Sequence, residues 1–229
     1  METLSLPSGQ QETIVLPVQQ KIFAFTTGLT AAEFLAAAPT LARLVHQRYQ
    51  EVRIPPPLQD YFVNYPDQLN FALLLSEEAP ETPIILPIWM RIARLSPRFA
   101  LRIFRDTDDL NLINQLLEEV DLHEEVGELE LPLCFLFDEE WNQQSQWGPH
   151  AQAAEPYFDQ WFEQHRDYET LADDETPEAQ RRYATLITDL IYQMRVWYNS
   201  ELDRATLQEI RDLLATLRED GDGNGEEEG

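Results

Sequence analysis

Sulfur is almost missing from this chain: its 229 residues include one cysteine, Cys134. That excludes an intramolecular disulfide framework and any zinc site built from several thiolates. Positive charge is scarce as well. Sixteen Lys and Arg stand against 42 Asp and Glu, a formal net charge of −26. Such a chain repels phosphate backbones, so nucleic acid is not an expected partner without a concentrated basic face. Solubility is the simplest account of the charge, and docking on a basic partner is the alternative. No run approaches the roughly 18 consecutive apolar residues of a membrane span. The opening METLSLPSGQQE lacks the basic-then-apolar pattern of a secretory signal. A cytoplasmic location is the resulting expectation. Glycine-rich phosphate loops and GxSxG elbows are also missing, and the one glycine-dense stretch is the acidic GDGNGEEEG.

What is present suffices for a folded core, with 43% hydrophobic residues and five Trp. Residues 1–25 carry an extended, β-like run, ETIVLPVQQKIFAF, interrupted by Pro17. Residues 26–68 read as helix followed by a Pro-rich connection. Thr30 and Glu33 have capping-box spacing, Phe34, Leu35, Leu41, Leu44 and Val45 supply an apolar face, and Pro39 divides or kinks the helix. The connection RIPPPLQDYFVNYPDQ contains three consecutive prolines.

Residues 69–165 alternate strand and helix. NFALLL at 70–75 is a continuous apolar run, the mark of a strand buried on both faces. An amphipathic helix is predicted over 84–95 and a strand over 99–104. Asp108 or Asp109 is placed to cap a helix over LNLINQLLEEV. LPLCFLF at 131–137 reads as a second doubly buried strand, and a short strand ends at Trp147-Gly148. This order predicts a mixed α/β sheet whose first part is parallel. Residues 166–219 are helical, including a helix opening at Thr176-Pro177-Glu178 and a last one over 203–219. Residues 220–229 form an acidic tail with no apolar residue, predicted to be disordered.

Taken together, the runs LLLSE, LRIFRDTDDLNLINQ, ELPLCFLFDEE and WGPH resemble a bacterial thioredoxin-like family with helical extensions at both ends. TTGLTAAEFL and MRVWYNSELDRATLQEI are similar to that family's flanking helices, so the resemblance covers about residues 26–217. It implies a thioredoxin-like fold with an N-terminal helical segment and a C-terminal helical extension. In active members the loop after the first buried strand carries Trp-Cys-x-x-Cys; here Ala79-Pro80-Glu81-Thr82-Pro83 stands there. Pro132, preceded by Leu131, matches the proline that is usually cis in this fold and faces the redox pair. Its backbone neighbour is a place where an extended peptide can bond.

Thiol–disulfide exchange needs an attacking thiolate and, for turnover, a second thiol or glutathione. Cys134 lies ~7 Å beyond Pro132 along a strand and inside an apolar run. A thiol buried there is inert. Glu77, Glu78, Glu81 and Glu130 would surround the loop with negative charge, opposing thiolate formation and repelling glutathione. No redox activity is therefore expected. Glu77 and Glu78 could form an acid pair, but neighbours in an extended segment point apart, and a solvated loop is the simpler account. His46, His123, His150 and His165 are scattered without ligand spacing, so neither a metal nor a cofactor is expected. Arg91, Arg94, Arg98, Arg102 and Arg105 cluster within fifteen residues. They serve either as partners for nearby carboxylates or as a positive dock. The helix YATLITDLIYQMRVWYN carries a wide apolar stripe that includes Trp197. Most of it should bury, leaving a second face for a partner.

The expectation is a non-catalytic protein that binds another protein, as adaptor, assembly factor or chaperone. The residues named for that contact are Glu78, Pro80, Glu81, Thr82, Pro83, Leu131 and Pro132, with Arg91, Arg94 and Trp197. The partner expected is a protein, one with a basic surface among the options, and a homo-oligomer is open. Alternatives are a permanent subunit of a larger complex, an enzyme using the loop glutamates, or a monothiol oxidoreductase.

Overall fold

The computed structural model describes residues 18–107, 109–117 and 130–223. Four strands form one sheet in the order β2-β1-β3-β4: β1 Leu69–Leu75, β2 Phe99–Arg105, β3 Leu133–Phe137 and β4 Gln143–Trp147. β1 runs parallel to β2 and antiparallel to β3, and β3 is antiparallel to β4. The parallel β1–β2 pair requires a crossover, and α5 (Thr82–Leu95) supplies it.

Every residue of β1 and β3 is buried, as the unbroken apolar runs predicted. Alternation of side chains then divides the interior in two. Phe71, Leu73, Leu75, Ile103, Cys134 and Leu136 join the larger core. Ala72, Leu74, Phe104, Leu133, Phe135 and Phe137 join the smaller one across the sheet, with Phe25 from α1 (Val18–Thr27) and Ile113 from α6 (Leu110–Asn114). The larger core takes in α2 (Ala31–Ala37), α3 (Pro39–Glu51), α4 (Pro56–Val63) and α5. It also takes in α7 (Glu155–Gln164), which follows a 3-10 turn at Gln152–Ala154, then α9 (Pro177–Trp197) and α10 (Asp203–Gly223). A short α8 (Tyr168–Asp173) leads into α9, and a π-helical turn, Tyr198–Leu202, joins α9 to α10.

Several local expectations hold. Thr30 and Glu33 form the reciprocal capping box, Pro39 divides α2 from α3, and Thr176 caps α9 with Pro177 in its first turn. Others are corrected. The β-like reading of residues 1–25 fails where the chain is described, because Val18–Thr27 is helical. Lys21, Ala24 and Phe25 turn inward with helical spacing, and Lys21 Nζ donates to the Trp141 carbonyl at 3.0 Å. Residues 1–17 lie outside the described part. The Pro-rich connection contains α4, because Pro56 and Pro57 occupy a helix's first turn, where a missing N–H costs nothing. The helix read as amphipathic over 84–95 keeps a polar edge at Arg91 and Arg94, but its first half is buried without interruption from Thr82 to Trp89, since α3 and α9 cover the side away from the sheet. Asp109 precedes α6 without capping it; its carboxylate turns back to accept from Arg105 N and Nε. The expected cap at Asp108, the rest of that predicted helix and His123 fall outside the described residues, as does the tail beyond Gly223.

The N-terminal segment also closes a sheet edge. Leu29 exchanges backbone hydrogen bonds with Ile103 of β2, at 2.9 and 2.8 Å, which covers an edge that would otherwise be open to pairing.

Candidate functional site

Strand direction brings three loops to one end of the sheet. β1 ends at Leu75, and its Leu74 pairs with Leu133, the first residue of the antiparallel β3. The Leu131–Pro132 peptide bond just before β3 therefore sits beside the loop at 76–81. It is cis. Cys134 pairs with Trp147 at the end of β4, which brings Gly148, Pro149 and His150 to the same end. Gly148 has φ +132°, and a Cβ there would run into the carbonyl oxygen of Pro132; no other residue fits so close to the proline turn. Gly148–Pro149 is also cis.

The loop itself is held from below. Thr82 is buried at the start of α5, and its Oγ1 donates to the Ser76 carbonyl at 2.6 Å. Pro83 is buried in the first turn, as expected from its sequence position. Glu77 and Glu78 are exposed, and Pro80 and Leu131 are half-buried. Glu81 occupies the N-cap position of α5 without a side-chain capping bond. Burial pushes its carboxyl up to about 7; a hydrogen bond from its own backbone N–H opposes this and the nearby Glu130 carboxylate adds to it. Tyr168 and Tyr198 also lie within electrostatic reach of Glu81, so the C-terminal helices stand over this loop. Burial raises both phenols well above their usual range. The Cys134 thiol is fully buried, and that burial raises its pKa strongly.

Next to the proline turn, at the β4 edge, lies an open cleft of about 670 Å³. Trp147, Phe158, Phe162 and Leu213 give it apolar walls, and Glu130, Glu155, Asp159 and Glu209 give it carboxylates; among the described residues no Lys or Arg lines it. Glu209, from α10, accepts from Trp147 Nε1 at 2.8 Å and from Gln152 N at 3.0 Å. The His150 ring stacks on Phe158 with centroids 4.4 Å apart, and its Nδ1 is buried without a hydrogen-bond partner. Burial lowers its pKa, against the pull of Glu130, Glu155 and Glu209, so the ring is neutral at pH 7.

The structure thus brings Glu78, Pro80, Glu81, Thr82, Pro83, Leu131 and Pro132 to one end of the sheet. It does not bring Arg91 there: Arg91 lies further along α5, where its Nη2 donates to the Val52 carbonyl at 3.1 Å and its guanidinium stands 4.6 Å over the Tyr49 ring. Arg94, one turn on, is exposed. Trp197 stands behind the cleft, its ring 5.8 Å from Phe158 and 5.4 Å from Tyr157. Sequence reasoning missed Glu209, Phe158 and Asp159. The sequence marked His150 only as one of four scattered histidines, and nothing in a helix of mixed acids marks which carboxylate reaches a strand some sixty residues earlier. Among the described residues, no three His, Cys, Asp or Glu side chains are placed to hold a metal ion.

The thioredoxin family's sequence profile matches residues 28–162. The chain belongs to the thioredoxin-like family. The match ends inside α7, so α8, α9 and α10 lie beyond the region it covers. Two solved structures share the fold over most of their length. A protein of unknown function from Pseudomonas aeruginosa is 17% identical with a TM-score of 0.56, covering 86% of this chain and 96% of that one. An HIV epitope-scaffold is 15% identical with a TM-score of 0.55, covering 85% and 97%. No curated protein matches the chain.

Proposed function

We propose that this thioredoxin-like chain is non-catalytic and binds another protein, as an adaptor, assembly factor or chaperone. One observation carries the reading: at the helix start where active members of the family place their cysteine pair, this chain has Glu81, Thr82 and Pro83, and its one thiol is buried in β3. Disulfide exchange needs an accessible thiolate, and a thiol with raised pKa inside an apolar core supplies none. What remains at this end is a peptide-sized surface, namely the proline turn, the loop and the adjoining cleft.

Insulin reduction by dithiothreitol, with and without the protein, tests this directly. The expected rate equals background and does not change on Cys134→Ser. A rate above background that disappears with Cys134→Ser would overturn the reading. Recovery of a tagged chain from its native cells at low and moderate salt separates two forms of binding. A partner lost as salt rises fits an adaptor docking by charge, and a stoichiometric partner resisting salt fits a permanent subunit.

A further inference from the structure

One outward row of α9 carries no charge, in a chain of net charge −26. Ala184, Thr188, Tyr192 and Val196 stand four residues apart, so they lie in line along the helix, and all four are exposed. Thr188 Oγ1 donates to the Ala184 carbonyl at 2.8 Å, which ties its hydroxyl to its own helix. Tyr192 is 63% exposed and Val196 50%, although Leu190 and Met194 of the same helix reach the core. Beside this row, between α9 and α3, lie two adjoining hollows of about 470 and 330 Å³, and Leu44, Pro83 and Ile191 line both. Glu77 and Glu78 bound the first, at the end near Ile187; Arg43 and Arg195 bound the second, at the end near Tyr192. Arg195 is held by Glu51. Among the described residues, however, Arg43 pairs with no carboxylate, and the side chains of Glu77 and Glu78 pair with no cation.

A face polarised in this way complements itself. Both helices run from the glutamate end to the arginine end, so a half-turn about an axis through the middle of the face exchanges the two ends. A second copy placed by that rotation lays its Thr188 and Ala184 against Tyr192 and Val196, large side chains over small. Rows of residues four apart interlock when two helices cross in this manner. The same rotation brings Arg43 of each copy to Glu77 and Glu78 of the other, so the unpaired charges at both ends find opposite ones. Two chains of this net charge repel as wholes, and pairing needs a place where local charges attract and apolar surface is covered. A foreign protein would have to supply that pattern; a second copy supplies it by symmetry, and the contact closes at two. We propose that the α3–α9 face pairs with the same face of a second copy, forming a two-fold dimer centred between Thr188 and Tyr192. This pairing needs no other protein and is independent of the binding reading above.

The test is sedimentation velocity of the full chain from low- to high-micromolar concentration. The parent is expected to pass from monomer to a species of twice the chain mass. Tyr192→Asp should stay monomeric throughout, and because this side chain is exposed, circular dichroism should show an unchanged fold. Arg43→Glu alone, and Glu77→Arg with Glu78→Arg alone, each set like charges against each other across the two-fold axis. Each should weaken self-association by about tenfold. Mixing these two variants should restore a dimer containing one of each, because every contact in the mixed pair again joins opposite charges. A parent that is monomeric at every concentration overturns the proposal. So does a dimer that Tyr192→Asp leaves intact, which would place the contact on another face. Two charge variants that fail to associate when mixed, while both remain folded, overturn the two-fold arrangement.

Discussion

Glu81 keeps its proton in a place where an ordinary surface glutamate would lose it. The folded protein holds that proton to about pH 7, whereas the unfolded chain releases it near 4.5. Between those values the folded state binds more protons, so this residue's contribution to stability is complete below about 4.5 and is lost as pH rises through about 7. Glu81→Gln removes the ionisation and keeps the shape. Thermal unfolding should therefore show little difference between variant and parent at pH 4.5, and a more stable variant at pH 8 by about 1 to 3 kcal/mol. A difference that stays constant across that range would mean the carboxyl is solvated. The fold of this helix start does not rest on the Glu81 side chain. Thr82 anchors the loop through Ser76 and Pro83 shapes the first turn, and neither depends on what stands at 81.

At the scale of elements, the π-helical turn fastens the C-terminal helices to α3. Asn199 and Asp203, four residues apart across this turn, lie on the same side, where Arg48 of α3 donates to both, at 3.1 Å to Asn199 Oδ1. Glu51 accepts from Arg195 Nε at 2.8 Å and from Asn199 Nδ2 at 3.1 Å. Arg48 is 1% exposed, so removing its counter-charge leaves a buried cation. Asp203→Ala should cost about 3 to 5 kcal/mol in urea unfolding, and Arg48→Met with Asp203→Leu should recover much of that loss. A cost below about 1 kcal/mol would show that water reaches the guanidinium. This fastening was not legible in the sequence. β1, β3, α5 and the caps at Thr30 and Thr176 were, because continuous apolar runs, proline in a first turn and Thr-x-x-Glu carry their cause locally. Helix α1 was misread because VQQKIFAF is too short for its period to separate helix from strand. Helix α4 was missed because prolines that open a helix look like prolines that break one. The loop end of the site was legible from the missing cysteines and Leu131-Pro132. The cleft was not, since Glu209 and His150 meet only through tertiary packing.

For the molecule as a whole, the larger core is shared between the sheet and the helices that follow it. Leu190, Met194, Tyr198, Leu207, Ile210 and Leu214 are all buried in it. The thioredoxin-like portion is therefore not a separate unit to which a helical appendage was added. Ending the chain after Leu202 should expose the inner surface of α4 and the Trp147 side of the sheet, producing strong dye binding by hydrophobic probes and loss of cooperative unfolding. A truncated chain that unfolds as sharply as the full one would contradict this. Among the described residues no helix is long and apolar enough to cross a membrane.

The position of α10 also sets a timetable. A ribosome makes the chain from residue 1 onward, so the sheet, α3 and α5 emerge long before Leu207, Ile210 and Leu214 exist. Through that interval one wall of the core has no cover, and the Trp147 indole N–H lacks the Glu209 carboxylate that accepts from it. A nascent chain of this protein therefore exposes that wall until Leu214, midway along α10, has been synthesised.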